Sequence, residues 1–416
     1  MHCPRPVVLC AILCACAGGP PLSRLAPDDA NREVDQARQA YSAQPSPDAQ
    51  LALGEAQYRA GQDTAARATL RSLAGTSGDV GDRAALYDAA AADRVGDLGA
   101  AHQGYTRWLA RHHDGAVRAR LGDVDRRLAD AAARAAIASE RSLDAASLPE
   151  HTVGVAPLQV AGGDSTISSL GYGLADLLIT DLSRSAQLQV VDRTRTDALL
   201  RELALAGSGR VDSATAPRVG RLIGARRLVD GVVDAAPGGR LTVSTRVADA
   251  ARGTLVGEPV TEHTSIDDIL DSEKALAFSL FTELGVTLTP AERAAVEQRP
   301  TRYLAAFLAY SKGARAEAYG DYRTAHAYYA QAVMIDPGFS AAASRMQSVS
   351  VSSDQQPNAT TTAAAVAPVT PGSVIDALNP SPAGSLGSFR DRGDATLRAT
   401  TEAKVPGSIT IPVSVP

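Results

Sequence analysis

The tightest constraint on this chain lies in its middle. Only between residues 152 and 288 do short apolar runs of strand character alternate with amphipathic helical stretches. The run Val153-Gly154-Val155-Ala156-Pro157-Leu158 breaks into Gly162-Gly163-Asp164, and a helical stretch with Leu170, Leu174, Leu177, Leu178 and Leu182 follows. Leucines at i, i+4, i+7 and i+8 make one stripe that can cover a sheet. Leu188-Gln189-Val190-Val191 is a second short strand, closed by Asp192-Arg193-Thr194. Residues 197–205 and 215–223 are further helices, with Gly224 where a C-terminal cap is expected. A third strand over 227–233 turns at Pro237-Gly238-Gly239 into 240–249, whose alternation suits a sheet with one covered face. Ala251-Arg252-Gly253 turns again into 254–261, and a helix over 266–284 offers Ile269, Leu276, Phe278, Leu280 and Phe281 for packing. The predicted order is β-α-β-α-α-β-β-β-α, an α/β layered domain ending in a meander.

Helical material flanks this domain, so the fold class expected is α+β and multidomain. In residues 49–145, Leu51 to Gly54, Tyr58 and Gly61 lead into Ala65, Ala66 and Leu70. The pattern returns about 35 residues later as Leu86, Tyr87, Gly96, Asp97, Ala100, Ala101, Tyr105 and Trp108. Small residues let paired helices approach, a glycine permits the turn, and an aromatic fills the gap between layers. Those two units resemble tetratricopeptide repeats; an ordinary helical bundle is the alternative. The Ala/Arg-rich helix over 123–143 reads as a spacer. Residues 301–346 resemble the same repeat more closely, through Gly313, Gly320, Tyr322, Ala325, Tyr329, Ala332 and Pro337. One such unit cannot bury its apolar face alone, so it must pack on the central domain, the first repeats or a partner. Residues 347–416 are dominated by Ser, Thr, Ala, Pro and Gly and are expected to be a disordered tail. Its last stretch, 408–416, alternates like a strand and could extend the sheet edge of a partner or simply fray.

The amino terminus supplies an address. A short basic start and an apolar run, Val7 to Ala15, read as a secretory signal too short to span a bilayer. Leu13-Cys14-Ala15-Cys16 resembles a bacterial lipobox, with signal 1–15, lipidation at Cys16 and a tether over 16–48 that carries one short helical stretch near 30–41. An ordinary cleaved signal is the alternative. The cysteines favour the lipoprotein: all four, Cys3, Cys10, Cys14 and Cys16, fall in this segment, so cleavage leaves one thiol for the lipid. By resemblance to Gram-negative sorting, Ala17 directs it to the outer membrane, facing the periplasm. A net charge of −5 argues against nucleic-acid binding, which needs a concentrated basic face.

The central motifs, Val153 to Leu158, Leu170 to Ser183, Leu188 to Arg193, Ile223 to Val233 and Arg246 to Leu255, together resemble the domain of CsgG-like curli-secretion lipoproteins and TolB-N-like proteins. The resemblance covers 152 to about 286. It implies an assembly or scaffolding role and self-association or contact with an envelope complex, without enzymatic activity. Pore-forming members carry extra membrane-crossing hairpins, and no matching pair of long alternating apolar strands occurs here. Chemical motifs point the same way. The loop 161–165 lacks a Gly-Lys-Ser/Thr ending, no Gly-x-Gly-x-x-Gly or Gly-x-Ser-x-Gly is present, and His112-His113 lack metal-site spacing. Asp267, Asp268 and Asp271 open a helix, where carboxylates meet a favourable dipole. No cofactor or metal is expected. The expectation is a non-catalytic envelope scaffold binding proteins through its helical repeats, with Tyr105, Trp108, Tyr322 and Tyr329 as candidate contact residues, repeat core being the favoured alternative for these rings. An oligomeric secretion channel and a periplasmic enzyme with an unrecognised carboxylate site are the alternatives.

Overall fold

The computed structural model describes residues 26–162, 167–203, 211 and 214–355. Cys16 with its lipobox, Gly163-Asp164 and the stretch 356–416 lie outside the described residues.

The sheet is mixed. Its strands are β1 (Thr152–Val155), β2 (Gln159–Ala161), β3 (Gln189–Val190), β4 (Arg227–Ala236), β5 (Arg240–Asp249) and β6 (Thr254–Ser265). They lie in the order β3-β1-β4-β5-β6, with β2 continuing the line of β1 along β4. The first three pair in parallel, and β4-β5-β6 form an antiparallel meander. The predicted series of elements is present, with β2 added where Pro157 splits the first apolar run; proline cannot donate to a ladder.

One face of the sheet carries Val155, Val229, Val233, Leu241, Val243 and Val247, all buried under α7 (Leu170–Leu182) and α10 (Ile269–Glu283) in one core. On the other face, Leu228 and Ala248 are covered by α8 (Arg193–Glu202) and α9 (Ala216–Ile223), backed by α6 (Gly115–Ala138). Further along the meander that second face is uncovered and polar. Thr242 lies 3.1 Å from His263 and Ser244 3.0 Å from Thr261 across neighbouring strands.

The amino-terminal helices are α1 (Pro27–Ala43), α2 (Pro47–Arg59), α3 (Asp63–Leu70), α4 (Asp79–Val95) and α5 (Leu98–Leu109), followed by α6. The expected tether stops at Pro27. From there the chain is α1, whose Ala30 and Val34 are buried, Val34 in one cluster with Leu53 and Ala56 of α2. A single residue on each turn supplies the apolar stripe, and the charges between hide it. Gly96, at φ 83°, ends α4 in the left-handed conformation that glycine adopts without strain, and Asp97 caps α5.

After the sheet come α11 (Pro290–Val296), α12 (Leu304–Ala318), α13 (Tyr322–Ile335) and α14 (Ser340–Gln355). Two expectations are corrected here. Residues 347–355 are not tail: α14 continues through them and packs along α6. Nor is α6 a spacer, since it contacts α5, α8, α9 and α14. Both errors share a cause, because small side chains read as low complexity or weak amphipathicity also allow helices to approach closely.

α6 and α14 come close at Gly122, where a Cβ would stand 2.5 Å from the Ser348 carbonyl oxygen. Beside it Arg126 donates to that carbonyl (2.9 Å) and to Ser352 Oγ (2.7 Å), and Ser352 donates to Asp123 (2.8 Å). The two groups of helices therefore meet through α6 and α14, while α12 packs on α7 of the central layer. Replacing Gly122 with Leu forces these helices apart. Thermal or urea unfolding is expected to show a loss of about 1–3 kcal/mol, with faster proteolysis inside α14.

Candidate functional site

The densest collection of functional groups lies where α7 and α8 meet α12, α13 and α14. Arg193, the first residue of α8, is 2% exposed. Its Nη1 donates to the Ala314 carbonyl at 3.0 Å, Nη2 to the Glu317 carboxylate and, at 3.4 Å, to the Tyr329 hydroxyl. Its Nε lies 3.2 Å from Asp176, and Asp197, one turn along α8, stands 3.6 Å from Nη1. Arg345 of α14 pairs with Asp176 at 2.9 Å and approaches Glu317 at 3.8 Å. Tyr310 donates to Asp176, and Tyr329 to Glu317 at 2.6 Å.

The balance of charge decides how each carboxyl titrates. Burial alone pushes all of them up, because the charged form loses its water. For Asp176 the guanidiniums of Arg345 and Arg193, with the Tyr310 hydroxyl, outweigh burial and hold the group below its ordinary range. Arg193, Arg345 and the Tyr329 hydroxyl do the same for Glu317. Asp197 is the exception. Burial dominates, Arg193 offsets it only partly, nearby Glu317 adds to it, and the carboxyl is pushed up to about 6. Its Oδ1 has no hydrogen-bond partner. With Asp197 neutral, two arginines face two carboxylates; with it ionised, the buried knot carries an excess negative charge.

A second buried group ties α7 to α10. Lys274 lies 2.6 Å from Asp181 and 3.2 Å from Glu273. Burial and then the Asp181 charge drive Glu273 well above its ordinary range. Both groups are enclosed, so their chemistry is mutual neutralisation between packed helices. A shallow cavity of about 380 Å³ lies elsewhere, lined by Phe278, Phe281, Thr282, Val286, Leu288 and Arg293.

Of the four candidate aromatics, Tyr105, Trp108 and Tyr329 lie in the interior. Tyr105 and Tyr329 are fully buried, and Trp108 is buried with its ring stacked 3.8 Å from that of His112. Tyr322 is half-buried beneath the Arg126 guanidinium. Each fills a gap between helices, the role repeat packing gives large rings. Large apolar side chains that do reach solvent include Tyr303 and Met334, 57% and 79% exposed. The Thr301–Asp336 hydrogen bond, 2.6 Å, holds the start of α12 beside the end of α13, placing both at one end of that hairpin. Among the described residues no cluster of His, Cys, Asp or Glu is arranged to hold a metal, and no helix is long and apolar enough to cross a membrane.

Sequence reasoning missed the buried knot. Its signal was present as isolated charges in apolar helices: Asp176 between Leu174 and Leu178, and Glu317 between Ala314 and Ala318.

Residues 152–236 match the family of the curli production assembly/transport component CsgG. The match covers β1 through the end of β4, so this part of the chain is CsgG-like. No curated protein matches the chain significantly.

Two outcomes follow from the charge balance. Replacing Arg193 with Met leaves three carboxylates facing Arg345 alone, and denaturant unfolding should show a loss of about 3–5 kcal/mol. Asp197 behaves in the opposite sense. Its raised folded-state value contributes stability below the ordinary carboxylate range, and that contribution is lost as pH rises through about 6. Asp197→Asn removes the dependence. Its melting temperature should match the parent near pH 4 and exceed it at pH 7.5, by the equivalent of up to about 3 kcal/mol.

Proposed function

We propose that this chain is a non-catalytic scaffold or assembly factor of the bacterial envelope, anchored through a lipid on Cys16 to the outer membrane and facing the periplasm. The observation that carries the reading is the fixing of a CsgG-like domain between two groups of helices. Arg193 and Asp176 hold it to α12 and α14, and α14 in turn locks onto α6. Such a body presents helical surfaces and a polar sheet face in one fixed relation, which suits positioning other proteins better than cycling through a reaction. The named role of the CsgG family in curli assembly and transport supports the envelope setting. The helical pairs act as tetratricopeptide-like repeats, and partners dock on exposed helix surfaces such as that bearing Tyr303 and Met334. The buried aromatics of the first expectation stabilise those surfaces from below.

The test is crosslinking in native membranes, followed by recovery of the wild-type chain and of Cys16→Ala. A reproducible set of envelope proteins should accompany the wild type and fall several-fold with the variant. Recovery of a large homo-oligomer with no other protein would overturn the scaffold reading in favour of a secretion channel.

A further inference from the structure

Arginines gather around one carboxylate at the end of the sheet where β4 begins and β5 ends. Asp249, the last residue of β5, is fully buried and lies directly across from Arg227 in the ladder. Its Oδ1 accepts from the Ala251 N–H at 2.9 Å and the Arg252 N–H at 3.0 Å, in the turn that leads to β6. Arg227 Nη1 donates to its Oδ2. Arg226 Nε stands 3.2 Å from Oδ1, and Arg252 Nε 3.9 Å from Oδ2. Arg221 joins them from α9 by donating to the Ala250 carbonyl at 3.1 Å, where Gly220 lets α9 come within contact of Ala250. Burial pushes the Asp249 carboxyl up, but the two backbone N–H groups and Arg227 outweigh it and hold the group below its ordinary range. Asp249 therefore supplies one full negative charge.

One charge does not balance Arg221, Arg226, Arg227 and Arg252. Glu140, which also feels Arg221, spends its carboxylate on Arg218 in a two-pronged pair at 2.7 and 2.8 Å. Arg246, further back on β5, shows the balanced arrangement: one guanidinium on one buried carboxylate, that of Asp230. Hydrogen-bond donors are in surplus as well. Among the described residues the four side chains donate to Asp249 Oδ2 and to the Ala250 carbonyl. Arg226 Nε is enclosed without a hydrogen-bond partner, and the Arg252 side chain is 72% exposed. Like charges gathered this closely repel one another, a cost that a bound anion removes. The flat fork of a guanidinium matches two oxygens of a phosphoryl group, and several forks can share one such group. A phosphoryl dianion carries enough charge to answer several cations, which a single carboxylate does not.

We propose that Arg221, Arg226, Arg227 and Arg252 form a binding site for a phosphoryl anion, either free or carried on a lipid headgroup. Asp249 is the positioning residue. It holds Arg226 and Arg227 from beneath and, through its hydrogen bond to the Arg252 N–H, sets the turn that carries the exposed guanidinium. Arg252 supplies the outer wall of the site, and Arg221 the side toward α9.

Calorimetric titration of the Cys16→Ala chain with pyrophosphate and with inorganic phosphate tests this at low salt. One anion per chain is expected, with affinity falling as salt rises because the contacts are ionic. Arg252→Gln should weaken pyrophosphate binding about tenfold. Arg240→Gln removes an exposed arginine at the other end of β5 and should leave the affinity unchanged. Both side chains are exposed, so the melting temperatures of the two variants should match the parent. Pelleting with phosphatidylcholine vesicles that contain phosphatidic acid separates the two sources of the anion. Pelleting that is lost in Arg252→Gln and kept in Arg240→Gln assigns a lipid headgroup, and anion binding without pelleting assigns a free phosphate. Neither anion binding nor Arg252-dependent pelleting would overturn the proposal. The same effect, or none, from both substitutions overturns it, since binding would then follow overall charge or lie elsewhere. Succinate bound as tightly as pyrophosphate also overturns it, because the site would then accept any dianion.

Discussion

Arg193 sits at the point where the parts of this molecule become one. A guanidinium cannot be deprotonated at accessible pH, so at 2% exposure it must be matched where it lies. It is matched from three helices at once: Asp176 on α7, Asp197 on α8 itself and Glu317 on α12. Arg345 brings in α14 by sharing Asp176 and Glu317. Separating the CsgG-like layer from the following helices would strand these charges in partly apolar surroundings, which is far costlier than parting two greasy faces. The network contributes little as a net attraction and much as a constraint on register. Asp176 and Glu317 each meet both arginines in this placement of the helices, while Asp197 Oδ1 stays without a hydrogen-bond partner.

The second constraint is steric. At Gly173 of α7 a Cβ would lie 1.9 Å from the Ser311 hydroxyl oxygen, and at Gly122 of α6 it would strike the backbone of α14. The charged knot fixes which helices meet, and the glycines fix how near they come. Between them, Arg126 Nη2 donates to both a backbone carbonyl and a serine of α14, so those two acceptors stay paired despite the close approach. Close packing transmits position from one end of the helical array to the other.

How much of this was legible follows from the period of the pattern. Strands and helices of the central layer were readable because alternation and the leucine stripe of α7 are strong, repeated signals. The turns at Gly238 and Gly253 were readable because each glycine has positive φ there. The short helix expected near 30–41 is α1, but its packing on α2 was harder to read, because its apolar residues recur only once per turn among charges. The Ser-rich second half of α14, residues 347–355, was misread as tail, because composition alone does not distinguish a segment that cannot bury anything from one whose smallness is the means of burial. The aromatics stood between repeat core and partner contact, with core favoured, for a related reason. A tyrosine at a repeat position has the same spacing whether it faces a groove or a neighbouring layer, and only the neighbouring helix decides. The buried knot joins residues over a hundred positions apart, and no local pattern can pair them.

The uncovered half of the sheet follows from the same economy of contact. On β5, Leu241, Val243, Thr245 and Val247 point into the core beneath α7 and α10, and all are buried. The opposite side runs Thr242, Ser244, Arg246 and only then Ala248. Chemistry switches from polar to apolar at Ala248, which shares a core with residues of α9, and Gly220 of α9 lies so close that a Cβ would meet Ala250. Beyond that boundary the strands satisfy one another: Arg246 binds Asp230 at 2.6 Å, Ser244 pairs with Thr261 and Thr242 with His263. A face whose hydroxyls and charges are paired laterally has no need of a helix over it.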